Sequence, residues 1–202
     1  MMQGLTKKRK NQSKILKNTS NNSDFALKTA KNELSVSDIT LLSWIKTMLV
    51  IKRFLPNIIC LVDKHILNMA ENSQAGSFIF GDLSQGTYGQ VEAILNMEQR
   101  KMSLVNINIM IEEMIGSLDE KYKKFVYYKY FKNKNFVFCA NELDIDERTA
   151  YRWHKLILIK LLKYCKLNNW KEEFFVSQLK TEKWVMPHFE KCCKSISNVF
   201  AN

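Results

Sequence analysis

Residues 144–155 read DIDERTAYRWHK. The stretch begins with acidic residues around Ile145 and then mixes basic with aromatic side chains. Asp146 is a good N-cap for a helix that begins at Glu147, and Asp144 stands in the turn, where aspartate tolerates a left-handed backbone better than most residues. The segment therefore predicts a tight turn followed by a helix.

The neighbouring residues complete a three-helix unit. LDEKYKKFVYYKYF at 118–131 is amphipathic, and NFVFCANEL at 135–143 predicts a short second helix. A third helix is expected from the turn to about Cys165. Five residues are expected to hold the geometry of the unit. Ala140 and Ala150 are small where the second and third helices cross, Leu143 and Ile145 are apolar beside the turn, and Ile157 lies on the buried face of the third helix.

The third helix has two faces. Its predicted core stripe repeats at three- and four-residue steps and comprises Ala150, His154, Ile157, Leu158 and Leu161. Arginine can reach guanine edges or clamp phosphate, tyrosine can stack, and threonine can meet phosphate. The candidate DNA contacts on the other face are therefore Arg148, Thr149, Tyr151, Arg152 and Lys155.

A basic stripe on a helix is most often a solvated surface, and the turn before the stripe is what favours DNA contact. Asp144, Asp146 and Glu147 argue the other way, because acids near a phosphate backbone weaken non-specific affinity. Trp153 is expected to pack against the first helix of the unit. His154 is expected to be a buried imidazole with no catalytic role.

Composition favours an all-α fold. The chain has 202 residues, 46% of them hydrophobic, with only six glycines and two prolines. Scarcity of both turn-forming residues favours long helices. The formal charge of +11 attracts polyanions such as nucleic acid, anionic membrane or an acidic protein, without choosing among them.

Four segments are predicted along the chain. Residues 1–34 form a basic tail, expected to be disordered, which serves as a solubilising extension or a phosphate-contacting arm. Residues 35–116 are a helical N-terminal region and residues 117–166 the DNA-binding unit. Residues 167–202 are an extension whose aromatic residues are expected to pack mainly on the core, or to dock on a partner such as RNA polymerase.

Within the N-terminal region, Ser35 or Ser37 is expected to cap a helix that runs up to Pro56, where a second helix starts. Residues 72–87, which hold three of the six glycines, are predicted to be a loop. A long helix follows from Tyr88, with Ser117 capping the next element. Its expected apolar face is Val91, Ile94, Leu95, Met102, Val105, Ile109 and Ile115.

The five cysteines are expected to stay reduced in a cytoplasmic protein. Cys60, Cys139 and Cys165 have apolar neighbours and are predicted to be small core residues. Cys192 and Cys193 follow His188, but there is no second pair at finger-like spacing. The pair is therefore interpreted as an unpaired surface motif, and neither a metal nor another cofactor is expected.

An enzyme and a membrane protein are both disfavoured. The three histidines are scattered, and the sequence has no glycine-rich phosphate loop and no nucleophile elbow. The most apolar stretch, residues 39–62, is interrupted by Lys46, Lys52, Arg53 and Pro56, so it lacks the roughly 18 apolar residues of a spanning helix. No export signal is evident at the start.

Two stretches, LDEKYKKFVYYKYF and ANELDIDERTAYRW, together resemble the tri-helical helix-turn-helix of sigma factor region four. They are more similar still to phage and prophage regulators of the ArpU and RinA type. The resemblance covers roughly Tyr88 to Cys165, with Asp144 standing for the usual Gly and Asp146 for the usual Ser. It implies duplex DNA binding, without implying the target or the sign of regulation.

Three non-enzymatic hypotheses follow. The first is a sequence-specific transcription regulator, phage- or prophage-derived, which reads DNA with the helix from Glu147. The second is a divergent sigma factor that binds RNA polymerase, although the helix around Trp44 is too apolar for promoter melting. The third is a protein-binding module that reuses the fold and shows no salt-sensitive DNA binding.

Overall fold

The structure, a computed structural model, describes residues 34–80, 86–179 and 182–201. Within these ranges the chain is all-α, as predicted, and contains no strand. The predicted tail at residues 1–34 lies outside the described residues except for Leu34. The described part of the chain contains eight α-helices: α1 Val36–Ile51, α2 Leu55–Phe80, α3 Gly86–Gly116, α4 Glu120–Val126, α5 Phe136–Glu142, α6 Glu147–Leu167, α7 Glu172–Leu179 and α8 Met186–Ala201.

Helix α1 is the centre of the molecule. Ser35 caps it in a reciprocal capping box: its hydroxyl accepts from the Asp38 amide and the Asp38 carboxylate accepts from the Ser35 amide, both at 3.1 Å. The helix is apolar on nearly all sides, and such a helix has to be surrounded by others. It packs chiefly on α8 and α6, and also on α7.

Helices α2 and α3 pack against each other, and an ion pair of 2.5 Å joins Asp63 of α2 to Lys101 of α3. The loop predicted at residues 72–87 is wrong for residues 72–80, which continue α2, and for residues 86–87, which begin α3. Residues 81–85 are outside the described part. Gly76 is the one glycine among residues 72–80, and a single glycine costs a helix roughly 1 kcal/mol, which is too little to end a helix that packs on another.

The predicted apolar face of α3 is also partly wrong. The side chains of Val91, Leu95, Met102 and Ile109 are 47–62% exposed. Ile94 and Ile115 do pack on the core. The fully buried stripe is instead Leu104, Ile107, Ile111 and Met114. Helix α3 is apolar on two sides, and periodicity alone cannot tell which side its neighbours cover.

The predicted three-helix unit is α4, α5 and α6, in the order expected. A π-helical turn, Tyr127–Phe131, extends α4, and a short loop with Asn133 at a φ of 52° leads to α5. The cap predicted at Ser117 is wrong. Asp119 is the N-cap of α4, and the Ser117 hydroxyl donates to the Met114 carbonyl because the chain there is still leaving α3.

The C-terminal extension folds back on the core, as expected. Phe189 of α8 stacks on Trp44 of α1 with ring centroids 4.2 Å apart, and Phe175 of α7 is fully buried. Glu182, 2% exposed, accepts from Arg100 of α3 at 2.6 and 3.0 Å. The core therefore runs across the boundaries predicted at residues 116/117 and 166/167, and those boundaries stay a prediction.

Two cysteine predictions need correction. Cys139 and Cys165 are buried, as expected, but Cys60 is exposed, because its apolar neighbours along α2 point to other sides of the helix. Cys192 is 4% exposed, so it is not a surface residue. Burial raises the pKa of the Cys192 thiol, and raises that of Cys165 to about 12, so both thiols stay protonated at neutral pH.

No helix within the described ranges combines the length and the apolar character that crossing a lipid bilayer demands.

Candidate nucleic-acid interface

The turn between α5 and α6 has the predicted geometry. Asp144 has a φ of 51°, in the left-handed region that aspartate tolerates. This turns the chain so that the Ile145 amide donates to the Ala140 carbonyl at 3.0 Å, which closes the end of α5. The next residue, Asp146, is extended and begins α6 as its N-cap. Four residues thus connect the two helices.

The Asp146 carboxylate fixes the start of α6. It accepts from the Thr149 amide at 2.8 Å and from the Thr149 hydroxyl at 2.6 Å. These two bonds hold the pKa of Asp146 below its ordinary value, and the positive charge of Arg152 lowers it a little further. The carboxylate is therefore ionised above acidic pH and is committed to the cap.

The buried face of α6 is as predicted. Ala150, Ile157, Leu158 and Leu161 are fully buried, and His154 is 4% exposed. Ala140 of α5 is also buried, at 3% exposed. Small residues at the crossing of α5 and α6 let the two helices approach closely. Because one side of α6 is fixed against the core, the direction of its other side is fixed as well.

The five predicted DNA contacts differ in accessibility. Arg148 is exposed and Tyr151 is 48% exposed, whereas Thr149, Arg152 and Lys155 are half-buried. The Thr149 hydroxyl already donates to Asp146, so it acts first as part of the cap. The side chains left for contact with a ligand are therefore Arg148, Tyr151, Arg152 and Lys155, all on the first three turns of α6.

The ring of Phe136 fixes the orientation of Tyr151. Its ring stacks on Phe136 of α5, with centroids 4.0 Å apart and an interplanar angle of 27°. The Lys129 ammonium makes a cation–π contact with the same Phe136 ring, 4.2 Å from its centroid. The stack gives Tyr151 a defined orientation and brings a further positive charge to the same side of the unit.

The predicted packing roles of Trp153 and His154 are confirmed. Trp153 meets Tyr122 of α4 edge to face, with centroids 5.3 Å apart. A hydrogen bond of 2.7 Å joins His154 Nε2 and the Tyr130 hydroxyl. Burial, with help from neighbouring lysines, lowers the pKa of His154 to about 3, so the imidazole is neutral at physiological pH.

Two lysines that the sequence did not single out approach this face. Lys46 of α1 and Lys129 of the π-helical turn border the same cavity as Tyr151 and Lys155. Burial lowers the pKa of both. Lys46 did carry a sequence signal, because it is a lone cation in the apolar run of α1. No such signal marked Lys129 among the other lysines near it.

Within the described ranges, no cluster of three histidine, cysteine or acidic side chains could hold a metal ion. A scan against protein-family models, a search of curated proteins and a search of solved structures each found no match to this chain.

Proposed function

We propose that this protein is a sequence-specific DNA-binding transcription regulator that reads duplex DNA with the start of α6. The observation that carries the proposal is the division of α6 into a core-anchored face and a basic, aromatic face. The first is fixed by Ala150, His154 and Ile157, which are buried. The second presents Arg148 and Tyr151 to solvent directly after a four-residue turn.

The chemistry of this second face suits the major groove. Arginine donates in pairs to guanine edges or to a phosphate, and a half-exposed tyrosine can stack or hydrogen-bond. The Asp146 cap fixes the start of the helix and the Phe136 stack orients the Tyr151 ring, so these parts lose less conformational entropy on binding. The net charge of +11 adds long-range attraction to DNA. A helix-turn-helix role accounts for all of these features together.

A salt titration tests whether the basic face binds DNA at all. Fluorescence anisotropy with a labelled mixed-sequence duplex is measured between low and moderate salt for the wild-type protein and for Arg148→Ala/Arg152→Ala. We expect the double variant to bind more weakly and with a shallower salt dependence. The slope should fall by about one unit for each phosphate that the variant no longer neutralises.

The matched control is Lys163→Ala/Lys194→Ala, which removes two charges from exposed positions away from the turn. It should bind like the wild type, apart from a small decrease in general attraction. Equal weakening in both double variants would mean that only net charge matters. Absence of salt-sensitive binding in the wild type would reject the proposal.

A protein partner such as RNA polymerase is the second candidate. It is favoured by the exposed apolar side chains Val91, Leu95, Met102 and Ile109 of α3, since exposed apolar patches often mark protein contacts. Transcription assays with purified core polymerase and with complete holoenzyme distinguish a sigma-like protein from a DNA-binding regulator. A sigma-like protein would initiate transcription with core enzyme alone, whereas a regulator would change transcription only when the holoenzyme is present.

A further inference from the structure

A cavity of about 320 Å³ is lined by side chains of α1, the π-helical turn, α5, α6 and α8. Three lysines border it: Lys46 from α1, Lys129 from the π-helical turn and Lys155 from α6. Tyr130, Phe136 and Tyr151 supply aromatic walls, and Ser195 of α8 supplies a hydroxyl. No carboxylate lines the cavity in the described part of the chain.

The positive charges of this cavity have no acidic partner among the described residues. The Lys46 ammonium donates to the Ser195 hydroxyl, and the Lys129 ammonium donates to the Lys134 carbonyl at 3.1 Å. Both acceptors are neutral, and each ammonium carries three donors. The lysines also act on one another electrostatically, since Lys129 contributes to the lowered pKa of Lys46. Within the described ranges, three cations thus lie around one cavity with no carboxylate partner, and the Phe136 ring offsets only part of the charge of Lys129.

Such a cluster is costly unless something offsets it. Partial burial disfavours the charged ammonium, and proximity of like charges disfavours it further. His154, which also lines the cavity, is neutral and hydrogen-bonded to Tyr130, so it neither adds positive charge nor supplies negative charge. A bound anion would relieve both costs, since its oxygens accept charge-assisted hydrogen bonds from several ammonium groups.

We propose that this cavity is a binding site for a small phosphate-bearing ligand. A phosphate dianion offers three terminal oxygens, which suits three lysines and a serine hydroxyl approaching from different elements. The volume is near the lower end of the range of about 300–1,000 Å³ for ligand pockets, so the organic part has to be small. The aromatic walls suit a flat or apolar group attached to the phosphate.

The site also borders the proposed DNA-reading face. Tyr151 and Lys155 belong to both, so a bound anion would engage side chains that DNA would otherwise use. If the proposed function holds, the phosphate ligand lowers the affinity for DNA. This consequence depends on the proposed function, whereas occupation of the cavity does not, and binding of the ligand is therefore measured without DNA.

Isothermal titration calorimetry tests the site directly. The full-length protein is titrated with inorganic phosphate and with phenyl phosphate, at constant ionic strength maintained with sodium chloride. We expect saturable one-to-one binding, tighter for phenyl phosphate because its ring can contact the aromatic walls. Removal of one charge-assisted hydrogen bond should weaken binding about tenfold or more in Lys46→Met and in Lys129→Met.

Lys163→Met is the matched control, because it removes a positive charge from the exposed side of α6. It should bind phenyl phosphate like the wild type. Thermal unfolding and near-ultraviolet circular dichroism establish that each variant is folded, and the two cavity variants provide independent tests. Absence of saturable binding in the wild type, or equal weakening in all three variants, would overturn the proposal.

A parallel titration with a mixed-sequence duplex separates a small ligand from the phosphates of DNA itself. If Lys46→Met weakens duplex binding while the wild type binds neither inorganic phosphate nor phenyl phosphate, the cavity serves the DNA backbone and the small-ligand proposal is wrong. If the wild type binds phenyl phosphate but no DNA, the cavity proposal stands and the proposed function fails.

Discussion

At the scale of single residues, the sequence was most informative around the turn. The left-handed Asp144, the cap by Asp146 and the burial of Ala140 and Ala150 were all predicted, because each follows from local sterics or hydrogen bonding. The approach of Lys46 and Lys129 to the cavity beside α6 could not be predicted. It depends on α1 and the π-helical turn meeting beside α6, which is a tertiary contact without a local signature.

Arg152→Ala tests base reading by an individual side chain. If Arg152 reads a base, the variant should lose about 1–3 kcal/mol of binding free energy at a specific site and should relax specificity at one base pair. Binding to a panel of duplexes, each with one substituted base pair, measures this. An equal loss on every duplex would instead make Arg152 a phosphate contact.

His154 predicts an acid-sensitive contribution to stability. Its pKa is about 3 in the folded protein, against an ordinary value of 6.5, so the unfolded chain binds more protons between these values. The contribution is fully present above pH 6.5 and is lost as pH falls toward 3, at up to about 1.4 kcal/mol per pH unit.

Urea unfolding at pH 7.5 and pH 4.5 measures this effect in the wild type and in His154→Gln, whose amide can still bond Tyr130. The carboxylates and His188 titrate in both proteins, so the difference between the two isolates His154. The free energy of unfolding should fall less on acidification in the variant. The same fall in both proteins would contradict the assignment of a neutral, buried imidazole.

At the scale of elements, order and type were predicted better than faces and ends. The unit α4, α5 and α6 was predicted because its periodicity, caps and turn agree with one another. The loop at residues 72–87 was partly wrong, since glycine preference is a weak signal that packing can override. The apolar face of α3 was partly wrong because that helix is apolar on two sides.

Asp146→Ala tests the cap of α6. Loss of the carboxylate leaves the Thr149 amide without its partner, and removing such a cap costs about 0.5–2 kcal/mol of stability. Asp146→Ser should retain most of that free energy, because a serine hydroxyl can accept the same bond. Chemical denaturation of the three proteins provides the comparison. An alanine variant as stable as the wild type would show that the cap contributes nothing.

At the scale of the whole molecule, the first and the last described helices pack together. Helix α1 packs on α8, and the core is continuous from Leu41 to Ile196. The sequence did favour core packing for the aromatic residues of the C-terminal extension. The sequence could not show that α1 would be surrounded by α6, α7 and α8, because no local sequence pattern specifies which distant helices pack together.

Glu182 should contribute to the stability of the whole molecule. Burial alone would raise the pKa of its carboxyl, but hydrogen bonds from Arg100 and Trp184 outweigh burial and the pKa lies below its ordinary value. Glu182→Ala leaves Arg100 unpaired and should cost about 2–3 kcal/mol, somewhat less than a fully buried pair, because Arg100 is partly exposed.

Glu120→Ala is the comparison, since it removes an exposed partner of Lys123 and should cost less than about 1 kcal/mol. Thermal and urea unfolding of the two variants measure the difference. Equal stabilities for Glu182→Ala and Glu120→Ala would contradict the role of the Arg100–Glu182 pair in joining α3 to the C-terminal extension.

Helix α6 is proposed to read the sequence of duplex DNA. Selection from a random duplex pool with purified full-length protein at near-physiological salt tests it most directly, with Arg148→Ala/Arg152→Ala and Lys163→Ala/Lys194→Ala selected in parallel. We predict one enriched motif for the wild type and the lysine control, and its loss in the arginine variant. No enrichment with any of the three proteins, or the same motif with all three, would contradict the claim.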